Sequence, residues 1–199
     1  SRLEKESHWV VFGSTRPGDE GPAMEAIVRL HEKYPSLKFA IAPRHLERLR
    51  EVKELIKNYG MEFQLYSEQS NSSSSRLVLV DRLGELNRFY AKACLAFVGG
   101  GFNPRFGGHN ILEPASYGLP VVFGRHMNNF EEEARLLIES GGGVQINNPE
   151  ELYDVLDQLL VDREKLQYYG EKARETVVKN YNYQEFDSII KPTKKAIDF

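Results

Sequence analysis

In four segments of the 199-residue sequence, glycine or proline stands beside polar or charged side chains, and glycine in particular lets a backbone approach a phosphate or a hydroxyl. The richest runs from Phe97 to Pro114, where Gly99, Gly100, Gly101, Gly107 and Gly108 lie between a strand-like run and a helical one. Their amides can face an anion, and so can the start of the helix that follows. Asn110 and Glu113 have the spacing of a helix cap and its third residue, so a capping box is one reading. In the other, the helix start faces a phosphate and Glu113 accepts hydrogen bonds from ribose hydroxyls. Five glycines exceed what a cap needs and favour the ligand. Asn110 capping while Glu113 turns outward would satisfy both readings.

The other three segments are shorter. Gly13 to Gly18 has the G-x-x-x-x-G spacing of a triphosphate loop, but Asp19 occupies the place of its lysine. What survives is a strand-to-helix turn whose Ser14 hydroxyl and amides suit an anion, with a plain turn and capped helix as the equal alternative. In Ala42-Pro43-Arg44-His45, Pro43 ends a strand and Arg44 projects from its rim, where a planar guanidinium suits a phosphate or carboxylate. Read alone, Arg44 is a surface arginine and His45 the first residue of a helix. In Val80 to Leu86, Gly84 permits close backbone approach and Glu85 stands in a first helical turn, where a carboxylate is favourable. An ordinary helix entry explains that segment equally.

Other chemistries find no pattern. His8, His31, His45, His109 and His126 lack the spacing of a zinc helix, and neither a D-x-D pair nor a G-x-S-x-G elbow is present. Phe102 and Pro104 break any G-x-G-x-x-G frame, which argues against a dehydrogenase. Cys94 reads as a small buried hydrophobe. No metal, no cofactor and no catalytic side chain are assigned.

The elements that must position these loops alternate. Strands are expected at Trp9–Phe12, Lys38–Ala42, Glu62–Tyr66, Leu77–Val80, Leu95–Val98, Val121–Phe123 and Gly143–Ile146. Helices are expected at Ala23–Tyr34, His45–Tyr59, Leu83–Ala93, Ile111–Tyr117, Asn129–Ser140 and Glu150–Val161, with another from Arg163 to about Tyr181. Such alternation predicts an α/β fold, a Rossmann-like doubly wound parallel sheet covered on both faces. Its ligands sit at the carboxyl ends of the strands, where all four segments lie.

Composition is that of a soluble globular domain, with 41% hydrophobic and 28% charged residues. A net charge of −3 argues against a general nucleic-acid binder. The longest apolar run, Ala93 to Val98, is far short of the ~20 residues of a membrane span. One cysteine excludes an internal disulfide and points to a reducing compartment. Glu131 to Glu164 carries ten acids and two bases, a solvated helical face, which leaves the rest of the chain net positive. The serine-rich stretch Ser67 to Arg76 reads as a solvated loop, and residues 182 to 199 as a tail with Phe186, Ile189, Ile190 and Ile197 lacking an evident partner. A charged lead from Ser1 directly into a strand suggests a piece of a longer protein.

Five motifs in order give a resemblance. Gly13-Ser14-Thr15, Pro43-Arg44-His45, Asp81-x-x-Gly84-Glu85-Leu86, Gly107-Gly108-His109-Asn110-Ile111-Leu112-Glu113-Pro114-Ala115, and Gly118-Leu119-Pro120 with the Gly124 to Phe130 run resemble the 3-deoxy-D-manno-octulosonic acid (Kdo) transferases. The likeness covers Val10 to about Ile146. Arg125 stands where the family commonly has proline, Arg82-Leu83 where it has Thr-Met, and the serine-rich loop has no counterpart.

That resemblance implies the carboxy-terminal, donor-binding half of a two-domain GT-B type glycosyltransferase, with residues 1–181 as the domain and 182–199 as a tail that either frays or packs on the absent half. The enzymes transfer Kdo from CMP-Kdo to a lipid A precursor, inverting and without metal, at the cytoplasmic face of the bacterial inner membrane. The general base, acceptor recognition and membrane contact belong to the other half, so this part is expected to be soluble. Ser14 and the Pro43–Arg44 turn would frame the donor, together with Gly84, Glu85 and Leu86, which would hold cytosine. Gly108 and the amides around Asn110, Ile111 and Leu112 would bind phosphate, and Glu113 the ribose. The alternatives are a related enzyme using a UDP-sugar, whether transferase or epimerase, and a nucleotide-binding module without activity of its own.

Overall fold

The structure is a computed structural model and describes residues 8–68 and 75–181. Seven parallel strands form one sheet: β1 (Trp9–Thr15), β2 (Lys38–Pro43), β3 (Gln64–Leu65), β4 (Leu77–Leu79), β5 (Ala93–Val98), β6 (Val121–Gly124) and β7 (Gly143–Ile146). Their order across the sheet is β3-β4-β2-β1-β5-β6-β7. Seven helices pack around it: α1 (Glu20–Lys33), α2 (Leu49–Asn58), α3 (Leu86–Tyr90), α4 (Leu112–Ser116), α5 (Glu131–Ser140), α6 (Leu152–Val161) and α7 (Arg163–Asn180). The expected doubly wound sheet is therefore the one observed.

The reason is burial on both faces. Val10 and Phe12 of β1 pack on one side with Met24, Ile27 and Leu30 of α1, and with Leu156 and Leu159 of α6. Val11 faces the other side with Ala40, Val78, Phe89 and Ala96. A third cluster joins Phe123 and Val98 to Ile111, Leu137, Ala173 and Val177 under α5 and α7. Strands apolar at every position fit only a sheet covered twice.

The strand order reverses at β1. From β1 the chain passes to β2, then to the edge strand β3, comes back to β4 between those two, and returns to pair β5 with the other edge of β1. Ligands of open α/β sheets bind in the crevice that opens at such a reversal. Register continues into this crevice. Gly13 pairs with Val98, and the Gly99 amide donates to the Gly13 carbonyl at 2.9 Å. Thr15 pairs with Pro43, and the Arg44 amide donates to the Thr15 carbonyl at 3.0 Å. Three of the four glycine or proline segments thus meet directly beyond β1.

Several expected helices are shorter. His45–Tyr59 divides into a 3-10 turn at Leu46–Arg48 and α2, while Leu83–Ala93 contracts to α3 and Ile111–Tyr117 to α4. Gly84 has φ of +81°, a left-handed conformation that stops the helix reaching back to Leu83. Ala93 belongs to β5, where the strand claims it. The tail at 182–199 and most of the serine-rich stretch, residues 69–74, lie outside the described residues. Among the described residues, no helix is long and apolar enough to cross a membrane.

Candidate functional site

The loop after β1 holds its shape through Asp19, the residue that breaks the triphosphate motif. Its carboxylate is 1% exposed and accepts at 2.7 Å from both the Arg16 and the Gly100 amides. Asp19 therefore ties the loop after β1 to the glycine loop after β5, instead of capping α1, where it makes no side-chain cap. Burial pushes its carboxyl up to about 6, against the pull of the two amides. Sequence reasoning treated this acid as a failed lysine. Its place between glycine and a helix start was the available signal.

The glycines are explained by packing more fully than their number suggested. A Cβ at Gly99 would stand 2.7 Å from the Ser14 carbonyl oxygen, and one at Gly101 would stand 2.8 Å from the Gly124 nitrogen. One at Gly108 would meet the Met127 sulfur at 2.5 Å. These residues let three loops lie backbone against backbone, so their count alone does not argue for a ligand. Ser14 has φ of +53° among them, held in a left-handed conformation at the end of β1.

At α4 the two readings separate. Asn110 Oδ1 accepts from the Leu112 amide at 3.0 Å, a cap-like contact. Glu113 makes no reciprocal bond. Its carboxylate has no hydrogen-bond or ion-pair partner among the described residues, and burial pushes it up to about 7, opposed by Arg44. The expected capping box is not formed: the helix starts one residue later, Ile111 is its cap and makes no side-chain bond, Asn110 closes a turn just before it, and Glu113 is released. The Leu112 amide is occupied, which removes it from the expected set of phosphate donors. Glu113 also lies close enough to Tyr90 and Tyr117 to raise both phenols beyond what burial alone does.

Around Glu113 the other segments converge. Arg44 forms no ion pair among the described residues and acts electrostatically on Glu113, His109 and Arg16. Leu86 and the Tyr90 hydroxyl close over Gly13: a Cβ there would lie 3.1 Å from Leu86 Cδ2. Glu85 stands just before α3 and not in its first turn. Its carboxylate accepts from the Tyr66 hydroxyl at 2.7 Å and pairs with Arg88 at 2.8 Å. Glu85 is therefore held by its own neighbours, while Pro43 is buried at the end of β2.

Arg16 and His109 carry no role in the sequence reading, although Arg16 lies inside the Gly13–Gly18 loop and His109 inside the Gly107–Ala115 motif, because what marks them out is their contact across 93 residues. Arg16 Nε donates to His109 Nε2 at 3.0 Å, its Nη1 meets His45 Nε2, and its guanidinium lies 5.0 Å from the Phe106 ring centre. Burial, with Arg16, Arg44 and His45 nearby, pulls the His109 imidazole down to about 3. Cys94 packs against the core, its thiol pushed up to about 12 by burial.

No protein-family model matches the sequence. The chain is 34% identical over 173 residues to a 3-deoxy-D-manno-octulosonic acid transferase of Chlamydia pneumoniae, a match covering 87% of this chain and 39% of that protein. The structure superposes on the crystal structure of the C-terminal CMP-Kdo binding domain of WaaA from Acinetobacter baumannii with a TM-score of 0.81 and 28% identity, covering 88% of this chain and 91% of that domain. A UDP complex of MnaA from S. aureus aligns at a TM-score of 0.60 with 16% identity, a likeness of fold alone. The chain spans roughly two-fifths of the length of the curated relatives it matches, 39% to 44% across the chlamydial sequences with the longest alignments. Sequence and fold together place the chain in the Kdo transferase family, as the carboxy-terminal half of a GT-B type glycosyltransferase.

Proposed function

We propose that this chain binds CMP-Kdo in the crevice beyond β1 and β5, as the donor half of an enzyme that transfers Kdo to a lipid A precursor. The observation that carries the reading is Glu113, a half-buried carboxyl without a hydrogen-bond or ion-pair partner among the described residues, facing an arginine that also makes no ion pair there. A hydrogen bond from a ligand hydroxyl to such a charged carboxylate is worth roughly 1.5–3 kcal/mol. Glu113 accepts hydrogen bonds from the ribose hydroxyls. Arg44 and the loop amides at Asn110 and Ile111 hold the phosphate, with the Ser14 turn beside them; the Gly108 amide, expected among these donors, is already given to the Gly100 carbonyl at 3.0 Å. Pro43 and the Gly84 to Leu86 turn frame the cytosine.

When the sugar leaves, negative charge grows on the CMP phosphate. Fixed amides and the Arg44 guanidinium stabilise that charge without reorganising, the preorganised electrostatic contribution that is usually large in catalysis. The reaction inverts the anomeric centre and uses no metal. Its general base, acceptor site and contact with the inner membrane belong to the amino-terminal half of the enzyme. Calorimetric titration of the chain with CMP and UDP tests the reading. Preferential binding of CMP supports it; tighter binding of UDP, or of neither, overturns it.

A further inference from the structure

Arg16 is held differently from Arg48, its neighbour across the crevice rim. Arg48 is bound by the Glu20 carboxylate at 2.6 Å and by Glu51 at 3.2 Å, whereas Arg16 is held by two imidazole nitrogens and an aromatic face. Imidazoles that accept a hydrogen bond from a guanidinium are neutral, so they orient the group without cancelling its charge. Of its five N–H donors, two are used, and no further partner exists among the described residues. Three donors, including the whole Nη2 end, are left for a ligand. Arg44 lies close enough to lower the Arg16 pKa after burial does, while Asp19 and Glu47 raise it through space, so the crevice holds two guanidinium groups that make no ion pair among the described residues.

We propose that Arg16 is a specificity-determining residue that binds the carboxylate of the donor's acidic sugar, from a socket made by His45, His109 and Phe106. The inference rests on the donor reading above and extends it. A cytidine monophosphate ester of an acidic sugar carries two anionic groups, one phosphate and one carboxylate, and the crevice offers two unpaired guanidinium groups. Arg44 stands beside Glu113 and takes the phosphate. Arg16, presented from the adjacent loop with an open fork, matches a planar carboxylate, the geometry that guanidinium binds through two parallel bonds. Lysine in its place would keep the charge and lose the fork.

The test is titration of the 199-residue chain with CMP, CMP-Kdo and UDP, in the wild type, Arg16→Gln and Arg16→Lys, with circular dichroism to verify folding. The wild type should bind CMP-Kdo about tenfold or more tighter than CMP, as expected of a charge-assisted hydrogen bond. Arg16→Gln should erase that difference while its CMP affinity stays within about twofold, and Arg16→Lys should retain only part of it. Equal losses for CMP and CMP-Kdo, or no loss in either variant, overturn the carboxylate assignment while leaving the donor reading intact. UDP bound more tightly than CMP and weakened by Arg16→Gln would assign Arg16 to a second phosphate and overturn both. Should Arg16→Gln fail to fold, Arg16→Lys alone decides, since an unchanged preference for CMP-Kdo in that variant refutes the need for a fork.

Discussion

Two regions of this molecule carry charge, and they use it in opposite ways. On the flank formed by α5, α6 and α7, Arg135 pairs with Glu132 at 2.7 Å and Glu139 at 2.8 Å, and Lys172 pairs with Glu175 at 2.7 Å. These pairs are one helical turn apart, exposed and screened by water. In the crevice beyond β1 and β5 the charges are fewer and partly buried, and neither Arg44 nor Arg16 makes an ion pair among the described residues. Burial there moves Glu113 to about 7 and His109 to about 3. The flank is the more charged by count, yet the crevice has the stronger chemistry. Desolvation, not number, makes a charge available to a ligand.

The largest effect that would sharpen this contrast is on the packing beneath the crevice. A Cβ at Gly124 would stand 2.3 Å from the Gly101 carbonyl carbon, with backbone on the opposing side that cannot rotate away. Gly124→Ala should cost about 3 kcal/mol or more in chemical denaturation. A loss no greater than that of Gly21→Ala, where an added Cβ meets nothing within 4 Å, would show that the loops adjust. Next is Glu113→Ala, which should weaken CMP binding by ~10- to 100-fold while the chain stays folded. Unchanged affinity would return Glu113 to the helix start. Arg44→Ala should follow with a loss of about tenfold, greater at low salt than at high.

The pH dependence separates the regions further. The folded-state pKa of Glu113, near 7, lies above its ordinary value of 4.5, so folding favours the protonated carboxyl. Its contribution to stability is complete below about pH 4.5 and is lost as pH rises through 7. Glu113→Gln removes the titrating group, so its unfolding midpoint should gain on that of the wild type across this interval. A constant difference between the two would mean that the carboxyl ionises as it does in water. The smallest effect belongs to the flank. Arg135→Ala, though it breaks ion pairs to two glutamates, should leave the unfolding midpoint nearly unchanged, because exposed pairs contribute little.

The flank was readable in the sequence because its interactions are local. An acid four residues from a base on a helix meets it whatever the rest of the chain does. The alternation of apolar strands with helices was readable for the same reason, and so was the placing of the four segments on strand-to-helix loops. Helix lengths were less so. Leu83 to Ala93 has helical composition, but a left-handed Gly84 at one end and pairing of Ala93 with Trp9 at the other leave only Leu86–Tyr90. Asp19 and Arg16 were missed because their roles depend on partners 81 and 93 residues away.

By itself, then, the sequence determined the sheet, the family likeness and the loops in which chemistry would lie, since hydrophobic period and motif order are properties of neighbouring residues. Only the tertiary structure decided which charges in those loops are free. It brought β5 back beside β1, laid glycine backbones against one another, spent Asp19 and the Leu112 amide on internal bonds, and left Glu113, Arg44 and part of Arg16 without carboxylate or backbone partners. Hydrogen bonding between distant segments and loss of water are consequences of packing, and no local pattern encodes them.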